Sequence, residues 1–515
     1  MNKASKKMLL TPGDVSLAQL RSIYTEAQSF ELNRDNWQAI EESAQAVREI
    51  VAKGDAAYGI NTGFGLLAQT RVDDDQLALL QRNLVLSHCT GVGDHLNEAI
   101  VRLIICLKII SLSQGYSGIS RAAVQLLMEF YHHGISPCIP SKGSVGASGD
   151  LAPLAHLAAA LIGVGDVRFE GETVPVSEAM RKTGLSPIEL GPKEGLALLN
   201  GTQCSTALAL AGLFEAENLF AAATVIGALS VDAMKGSTVP FDRRIHQLRG
   251  QSGQIAVAKK YLEFLSGSDI LASHVNCDKV QDPYSLRCQP QVMGACLDVL
   301  SNSARTLQIE ANAVTDNPLI FSDTLEALSG GNFHAEPVAF AADNLALAIA
   351  EMASISERRI SLLVDPHMNG GLPAFLVENS GLNSGFMIAQ VTAAALVSEN
   401  KTLAHPASVD SIPTSANQED HVSMATFAAR RLLDMSENSR NVVAVEALGA
   451  AQAVEFHLPH HTSLPLQQVV AKIRTLVPSY TEDRFFAPDI DAAQTLIQSG
   501  YFYALVADIL PSGDL

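Results

Sequence analysis

Apolar residues along most of this chain recur at three- and four-residue intervals, the spacing that predicts helices with one buried face. The pattern is clear in QLALLQRNLVLSH (76–88), and beyond Lys193 it predicts a series of long helices. The candidate ranges of the long helices are 193–234, 290–314, 335–365, 383–402 and 419–455. One β-like segment at 165–180 interrupts the pattern, with Glu170-Gly171 as the turn of a predicted hairpin.

The pattern therefore predicts a mainly α-helical fold in two regions. Residues 1–115 form a smaller mixed N-terminal region that carries the Tyr58 loop and His88. Residues 116–515 form a helical region, and its parts follow in order: a small-residue loop at 143–150, a central bundle of long helices at about 193–455, and short C-terminal helices. Helices of this length are longer than one compact domain usually contains, so we expect a bundle that subunits share.

The composition of the chain indicates which kinds of binding partner and which cellular compartment to expect. Only 17% of the 515 residues are charged, which indicates that much surface is hidden in a homo-oligomer. The net charge of −19 argues against nucleic acid and anionic membranes as partners. The seven cysteines are scattered without a C-x-x-C pair, and the N-terminus lacks the apolar run of a signal peptide. We therefore expect a cytoplasmic protein with reduced cysteines that does not cross a membrane.

Polar clusters lie near the predicted ends of the helices, and they suggest one composite site for a small molecule. The clusters are LSH (86–88), NGTQ (200–203), QDPYSLRCQPQ (281–291), SGGNFHAEP (329–337) and SANQEDH (415–421), together with the Tyr58 loop. Arg287 offers a guanidinium that binds a carboxylate with two hydrogen bonds, or else forms a structural ion pair. Tyr58 and Tyr284 are phenols that transfer a proton or simply pack.

The remaining polar candidates also have two interpretations each. Asn200 and Gln281 orient a substrate with their amides, or satisfy the backbone at a helix end. Glu419 binds a cation or an imidazole N–H, or interacts with the dipole at the start of a helix. His88 lies on a helical pattern that is also typical of a core or capping histidine. The histidines at 131–133 and 457–461 lack the partner spacing of metal ligands, so we predict no metal site.

The stretch GSVGASGDLAPLAH (143–156) combines small residues with a single acid. It lacks the Gly-Lys-Ser/Thr end of a phosphate-binding loop, and Ser148 does not lie in G-x-S-x-G. A third possibility is backbone chemistry, in which the nitrogen of Gly149 attacks the carbonyl carbon of Ala147. Loss of one water would close a five-membered ring, and loss of the Ser148 hydroxyl as a second water would leave a methylidene group. The product would be a strong electrophile, which no ordinary side chain supplies.

This stretch resembles the signature of the aromatic amino acid ammonia-lyase family, whose Ala-Ser-Gly triplet forms a methylidene-imidazolone (MIO). Five further motifs match in family order: YGINTGFG, LLNGTQ, CDKVQDPYSLRCQPQVMGA, SGGNFHAEP and PTSANQEDHVSM. The resemblance implies the helical fumarase/aspartase-like fold, a homotetramer with active sites built by more than one subunit, and MIO without an external cofactor. It also implies that Ala147, Ser148 and Gly149 become the electrophile.

The resemblance also implies a substrate, because two positions match family members that act on histidine. His88 occupies the side-chain selectivity position, and Glu419 matches the acid that those members place near the substrate imidazole. A carboxylate suits an imidazole N–H and would be an unpaired charge beside a benzene ring. The implied reaction is the non-oxidative deamination of L-histidine to trans-urocanate and ammonia.

Further roles come from the resemblance alone. Arg287 would bind the substrate carboxylate, and Asn200 would hold that carboxylate or the region of the departing amine. Tyr58 would remove the β-proton. Tyr284 and Gln281 would stabilise charge near MIO. Asp150 would assist the formation or the positioning of MIO, and Phe333 would pack on MIO and on the substrate. Whether the substrate amine or its imidazole adds to MIO stays open. Two alternatives also stay open, a tyrosine or phenylalanine ammonia-lyase or aminomutase, and a helical scaffold without catalytic activity.

Overall fold

The computed structural model describes residues 7–53, 59–60, 62, 72–275 and 280–513. Helices dominate these residues, and their bounds in chain order are α1 Leu17–Glu26, α2 Arg34–Lys53, α3 Leu77–His88, α4 Glu98–Leu112, α5 Arg121–His132, α6 Leu151–Leu161, α7 Val176–Thr183, α8 Glu194–Leu199, α9 Gln203–Ala233, α10 Arg243–Arg249, α11 Ser252–Leu265, α12 Asp269–Ala272, α13 Tyr284–Arg287, α14 Gln289–Ala311, α15 Glu336–Val364, α16 Met387–Leu403, α17 Ala425–Glu455, α18 Leu464–Arg474, α19 Ala487–Gln498 and α20 Tyr503–Val506. The predicted mainly α-helical class is confirmed.

The strands of the described residues are short and lie outside the long helices. They are β1 Met8–Leu10, β2 Phe30–Leu32, β3 Val92–His95, β4 Ser136–Pro137, β5 Pro140–Lys142, β6 Asp166–Phe169, β7 Glu172–Pro175, β8 Leu319–Phe321 and β9 Glu326–Leu328. Strands β6 and β7 form the hairpin predicted from sequence, with Phe169 paired to Glu172 across the Glu170-Gly171 turn. Strand β5 pairs antiparallel with β3 and leads directly into the small-residue loop.

The chain folds into two compact units. Unit 1 contains the chain up to Ala211, Ala304–Asp343 and Pro406–Arg430, and unit 2 contains Gly212–Ser303, Asn344–His405 and the chain from Arg431 onward. The predicted boundary at residue 115 falls inside unit 1 and stays a prediction. Unit 1 carries the small-residue loop, and unit 2 contains most of the length of the long helices.

Close packing in unit 2 depends on small residues. In α9, Gly212 faces Leu432 of α17, and a Cβ at position 212 would lie 2.6 Å from the Leu432 side chain. Every residue of α9 is buried, which explains why its sequence is apolar on all sides. By length and composition, α9 and α15 could each cross a membrane, but the apolar window of α9 is 100% buried within the protein and that of α15 67%.

The predicted helix at 193–234 is wrong in one respect, because it is two helices. Helix α8 ends at Leu199 and α9 begins at Gln203, with Asn200–Thr202 between them. Gly201 has a φ of +123°, and it forms an isolated parallel bridge with Gly149. A contact with a residue about fifty positions away therefore breaks the helix, and no local pattern signals such a contact.

A buried ion pair joins the long helices of unit 2. The Arg359 guanidinium contacts both carboxylate oxygens of Glu446, with Nη2 2.7 Å from Oε2, and both side chains are completely buried. The hydroxyls of Ser230 and Ser356 also donate to Glu446. These bonds satisfy a carboxylate that would otherwise be costly to bury.

Replacement of Arg359 by methionine should therefore lower the free energy of unfolding by about 3–5 kcal/mol, because it leaves the buried Glu446 without its cation. Urea denaturation followed by circular dichroism measures this change. Arg305→Met is the matched control, because Arg305 is exposed on α14, and we expect a change within about 0.5 kcal/mol. Equal midpoints for the two variants would contradict the structural role of the pair.

Candidate active site

Gly149 ends the small-residue loop in a conformation that requires glycine. Its φ is +72°, and a Cβ at this position would lie 2.3 Å from the carbonyl oxygen of Gly201. The next residue continues the contact, because the backbone N–H of Asp150 donates to the same oxygen over 2.7 Å. Helix α6 begins immediately afterwards at Leu151. The Ala147-Ser148-Gly149 backbone is thus held against the Asn200–Thr202 break by contacts that only a residue without a side chain permits.

The carboxylate of Asp150 anchors this loop. It is completely buried, and its Oδ2 accepts hydrogen bonds from the backbone N–H and hydroxyl of Ser205, at 2.7 and 2.8 Å. Its Oδ1 accepts from the hydroxyls of Ser144, at 2.9 Å, and Thr426, at 2.6 Å. Four donors from three segments of unit 1 satisfy the carboxylate, which fixes the loop relative to α9 and α17.

Asn200 contacts the central residue of the triplet. Its Nδ2 donates to the backbone carbonyl oxygen of Ser148 over 2.6 Å. Its Oδ1 is buried and has no hydrogen-bond partner among the residues that the structure describes. A buried amide oxygen without a donor is costly, so this atom is available to accept from a bound molecule.

Lys108 holds the backbone of Asn200 in place, and it is not among the residues predicted from sequence. Its ammonium group donates to the Asn200 carbonyl oxygen over 2.7 Å and to Gln203 Oε1 over 3.2 Å. The side chain is completely buried on α4. Burial lowers the pKa of Lys108 from 10.5 to about 7, and the charge of Lys193 acts in the same direction, whereas Asp316 and Asp150 oppose the shift. The available signal for this role was a lysine within the otherwise mainly apolar stretch IVRLIICLKIISL.

Lys108→Met should remove a pH dependence of stability. The unfolded chain keeps the Lys108 proton up to its ordinary pKa of 10.5, whereas the folded chain releases it near 7. Lys108 therefore contributes stability that is present above this window and is lost as the pH falls through it. We expect the denaturation midpoint of the wild type, measured relative to Lys108→Met, to rise between neutral and mildly alkaline pH. Lys401→Met is the control, because Lys401 is exposed. The midpoint of the wild type measured relative to Lys401→Met should not change over the same pH range.

Glu419 contacts the triplet from the other side. A strained loop presents it, since Ser415, Ala416 and Asn417 have φ values of 50°, 54° and 67°. Backbone hydrogen bonds between Thr414 and Glu419 close the loop. The Ser148 hydroxyl donates to Glu419 Oε1, and Thr414 Oγ1 donates to Oε2 over 2.6 Å. The candidate acid and the candidate hydroxyl, 271 residues apart in sequence, are thus in direct contact.

The hydrogen bonds to Glu419 determine its charge. Burial alone would raise the pKa of this carboxyl group, but donation from Ser148, Thr414 and Ser415, together with the charge of His88, lowers the pKa overall. Glu419 is therefore ionised at neutral pH and acts only as an acceptor. An anionic acceptor beside the triplet favours a ligand with an N–H group.

His88 and Phe333 also belong to unit 1. His88 ends α3, and its Nδ1 lies 2.8 Å from the Leu84 carbonyl oxygen. Since that oxygen can only accept, Nδ1 carries a proton and donates a hydrogen bond to Leu84. Phe333 is half-buried in the segment before α15, and the N–H of nearby Ala335 donates to Gly146 over 3.2 Å. The structure thus brings six of the predicted positions into one neighbourhood: Ser148, Gly149, Asp150, Asn200 and Glu419 by direct contacts, and His88 through its charge on Glu419.

Three further predicted residues belong to unit 2. Gln281, Tyr284 and Arg287 line a cavity of about 840 Å³. The Arg287 guanidinium carbon lies 4.7 Å from the centre of the Tyr284 ring, and Arg287 Nε is buried without a hydrogen-bond partner among the described residues. Tyr284 itself is 71% exposed. This cavity offers an unsatisfied cationic donor and a phenol side by side. Tyr58 lies outside the described residues.

A family model called aromatic amino acid lyase matches residues 15–475. This match agrees with the helical architecture, the glycine-dependent triplet and the buried acid that anchors it. The chain belongs to this family. Histidine ammonia-lyase of Burkholderia mallei is 60% identical over 496 residues, which cover 96% of this chain and 98% of that protein.

Solved structures agree with this placement. The crystal structure of histidine ammonia-lyase from Trypanosoma cruzi is 38% identical, with a TM-score of 0.90, and the alignment covers 98% of this chain and 96% of that chain. Tyrosine aminomutase from Streptomyces globisporus is 33% identical with a TM-score of 0.92, covering 98% and 99% of the two chains. The fold is thus common to members whose names differ in substrate and in reaction.

Proposed function

We propose that this protein is a histidine ammonia-lyase, which converts L-histidine to trans-urocanate and ammonia without oxidation. The observation that carries the proposal is the contact of an ionised Glu419 with Ser148, the centre of the Ala-Ser-Gly triplet. An anionic acceptor at this position suits an imidazole N–H. Beside the benzene ring of phenylalanine or the phenol ring of tyrosine, the same carboxylate would be an unpaired charge. Identity of 60% to relatives named histidine ammonia-lyase supports the same substrate.

The residues around the triplet fit an MIO group formed from Ala147, Ser148 and Gly149. Gly149 has a φ of +72° and lies against Gly201 where a Cβ would not fit, and Asp150 fixes the chain that follows. Asn200 Nδ2 donates to the carbonyl oxygen of Ser148. When present, MIO supplies an electrophile that makes the deamination of an amino acid feasible.

Side chains of the protein bind the substrate, remove its proton and stabilise the charge that develops. Arg287 binds the substrate carboxylate with its guanidinium, whose Nε has no partner among the described residues, and Asn200 Oδ1 accepts a hydrogen bond from the substrate. Once the Ser148 hydroxyl is lost as water, Glu419 accepts a hydrogen bond from the imidazole N–H of the substrate. His88 also contacts the imidazole ring. Tyr58 removes the β-proton, and Tyr284 with Gln281 stabilises the negative charge that develops. Phe333 packs on the substrate and excludes water.

We also propose that the protein works as a cytoplasmic homotetramer in which more than one subunit contributes to each site. The low charged fraction of 17% supports this assembly. So does the exposure of large apolar side chains on long helices, for example Leu347 at 52% and Ile388 at 63%. Light scattering during gel filtration measures the mass in solution, and a monomeric mass with full activity would contradict a shared site.

The experiment that tests the function offers L-histidine, L-tyrosine and L-phenylalanine side by side at mildly alkaline pH. Ultraviolet absorbance follows the unsaturated product, and chromatography detects any β-amino acid that an aminomutase would make. We expect urocanate from histidine alone. An unsaturated or β-amino product from tyrosine or phenylalanine would keep the family chemistry and overturn the role of Glu419. No product from any substrate would favour a scaffold without activity.

A further inference from the structure

Three side chains of unit 1 form a cluster that the proposed reaction does not use. His334 precedes α15, Glu336 is the first residue of that helix, and His421 follows the Glu419 loop. One potential ligand atom from each of the three lies within 4.8 Å of the others. Two histidines and one carboxylate form a donor set that suits zinc and related divalent cations of the first transition row.

Glu336 provides a second reason to expect a cation. Its Oε2 is shielded from solvent and has no hydrogen-bond partner among the residues that the structure describes. A shielded carboxylate oxygen without a donor is costly. A cation held by the same three side chains would satisfy it.

The orientation of His334 also fits a ligand. Its Nε2 lies 3.2 Å from the backbone carbonyl oxygen of His421, which can only accept a hydrogen bond. The proton therefore belongs on Nε2, and Nδ1 presents a lone pair. Metal-binding histidines commonly donate their second ring N–H to a carbonyl or carboxylate in this way. The centroids of the His334 and His421 rings are 5.7 Å apart, with an angle of 30° between the ring planes.

The position of the cluster suggests what a bound cation would do. The segment of His334 reaches the triplet loop through the bond from Ala335 N–H to Gly146. The segment of His421 reaches it through Ser423 Oγ to Gly146, at 2.9 Å, and Met424 N–H to Val145, at 2.8 Å. A cation shared by the two segments would link the chain near Phe333 to the chain near Glu419.

We infer that His334, Glu336 and His421 form a binding site for one divalent cation of the zinc class per chain, which cross-links the two segments that hold the triplet loop. With three protein ligands, the fourth position of a tetrahedral ion takes water or a ligand from solvent. The role is structural and positional. It is independent of which amino acid is the substrate, so its test uses metal binding and stability.

The test uses the full-length protein, stripped with a chelator, dialysed, and titrated with Zn²⁺ against a chromophoric competitor. We expect one Zn²⁺ per chain and a thermal midpoint that rises with Zn²⁺ concentration, because a ligand bound only by the folded state stabilises it. His421→Asn and Glu336→Gln should each weaken binding at least about 100-fold, since loss of an outer-shell partner alone costs about 10–100-fold. Circular dichroism checks that both variants fold.

His460→Asn is the matched control, because His460 is exposed in unit 2, away from the three residues in sequence. It should bind Zn²⁺ as the wild type does. The absence of binding to the wild type, or equal affinity in all four proteins, would overturn the site. Neither result would affect the proposed deamination of histidine, which the product assay tests separately.

Discussion

Ser148→Ala is expected to reduce urocanate formation by at least about three orders of magnitude, the largest effect of any single change in this chain. Without the hydroxyl, the second loss of water cannot occur, and the ordinary side chains that remain offer no comparable electrophile. The contacts predict that folding survives, because Asn200 bonds to the backbone carbonyl of residue 148 and Asp150 keeps all four donors. Initial rates with saturating L-histidine measure the effect.

Ser398→Ala is the control for this substitution. It makes the same change from serine to alanine, but at an exposed position on α16 outside the loop. It should retain the wild-type rate. Circular dichroism spectra of the two variants should coincide. A Ser148→Ala protein with more than a few per cent of wild-type turnover would show that the triplet is not the source of the electrophile.

Glu419→Gln should lower kcat/KM for L-histidine by about 100-fold, which corresponds to about 2.7 kcal/mol of transition-state stabilisation. Glutamine keeps the size of the side chain and one acceptor oxygen, but it loses the negative charge that favours an imidazole N–H. Thr414 and Ser415 also lose an acceptor, since both donate to Oε2 of Glu419. We therefore expect two contributions to the defect, which are weaker binding of the imidazole ring and a less ordered Glu419 loop.

Two comparisons separate these contributions. Asp420→Asn removes the neighbouring, exposed carboxylate and should leave kcat/KM within about twofold of the wild type, as exposed substitutions usually do. A thermal midpoint of Glu419→Gln close to that of the wild type would assign the defect to substrate recognition. Unchanged turnover of histidine in Glu419→Gln would remove the basis for the substrate assignment.

Features decided by local sequence could be predicted well. The Glu170-Gly171 hairpin depends on adjacent residues, and it forms as the sequence suggests. The long helices beyond Lys193 follow from periodicity, although the predicted start at residue 419 is wrong, since α17 begins at Ala425. Glu419, which contacts the triplet, lies in the predicted first turn of that helix, and the strained Ser415–Asn417 turn directly precedes it.

Features decided by distant contacts could not be predicted. Gly149 and Gly201 meet through the tertiary fold, and this contact splits the helix predicted at 193–234. Lys108 bonds to Asn200 from a helix about ninety residues earlier in the chain. His334 and His421 lie too far apart in sequence for metal-ligand spacing to reveal them. The family motifs supplied the candidate residues, whereas the structure supplied their partners.

The most direct test is the mass of the tryptic peptide Gly143–Arg168, which Lys142 and Arg168 delimit and which contains the whole triplet. The wild-type peptide should weigh less than its sequence requires by the mass of two water molecules, and the same peptide from Ser148→Ala should not show that double loss. A wild-type peptide with its full mass, from protein that is correctly folded, would contradict formation of the electrophile and with it the proposed lyase reaction.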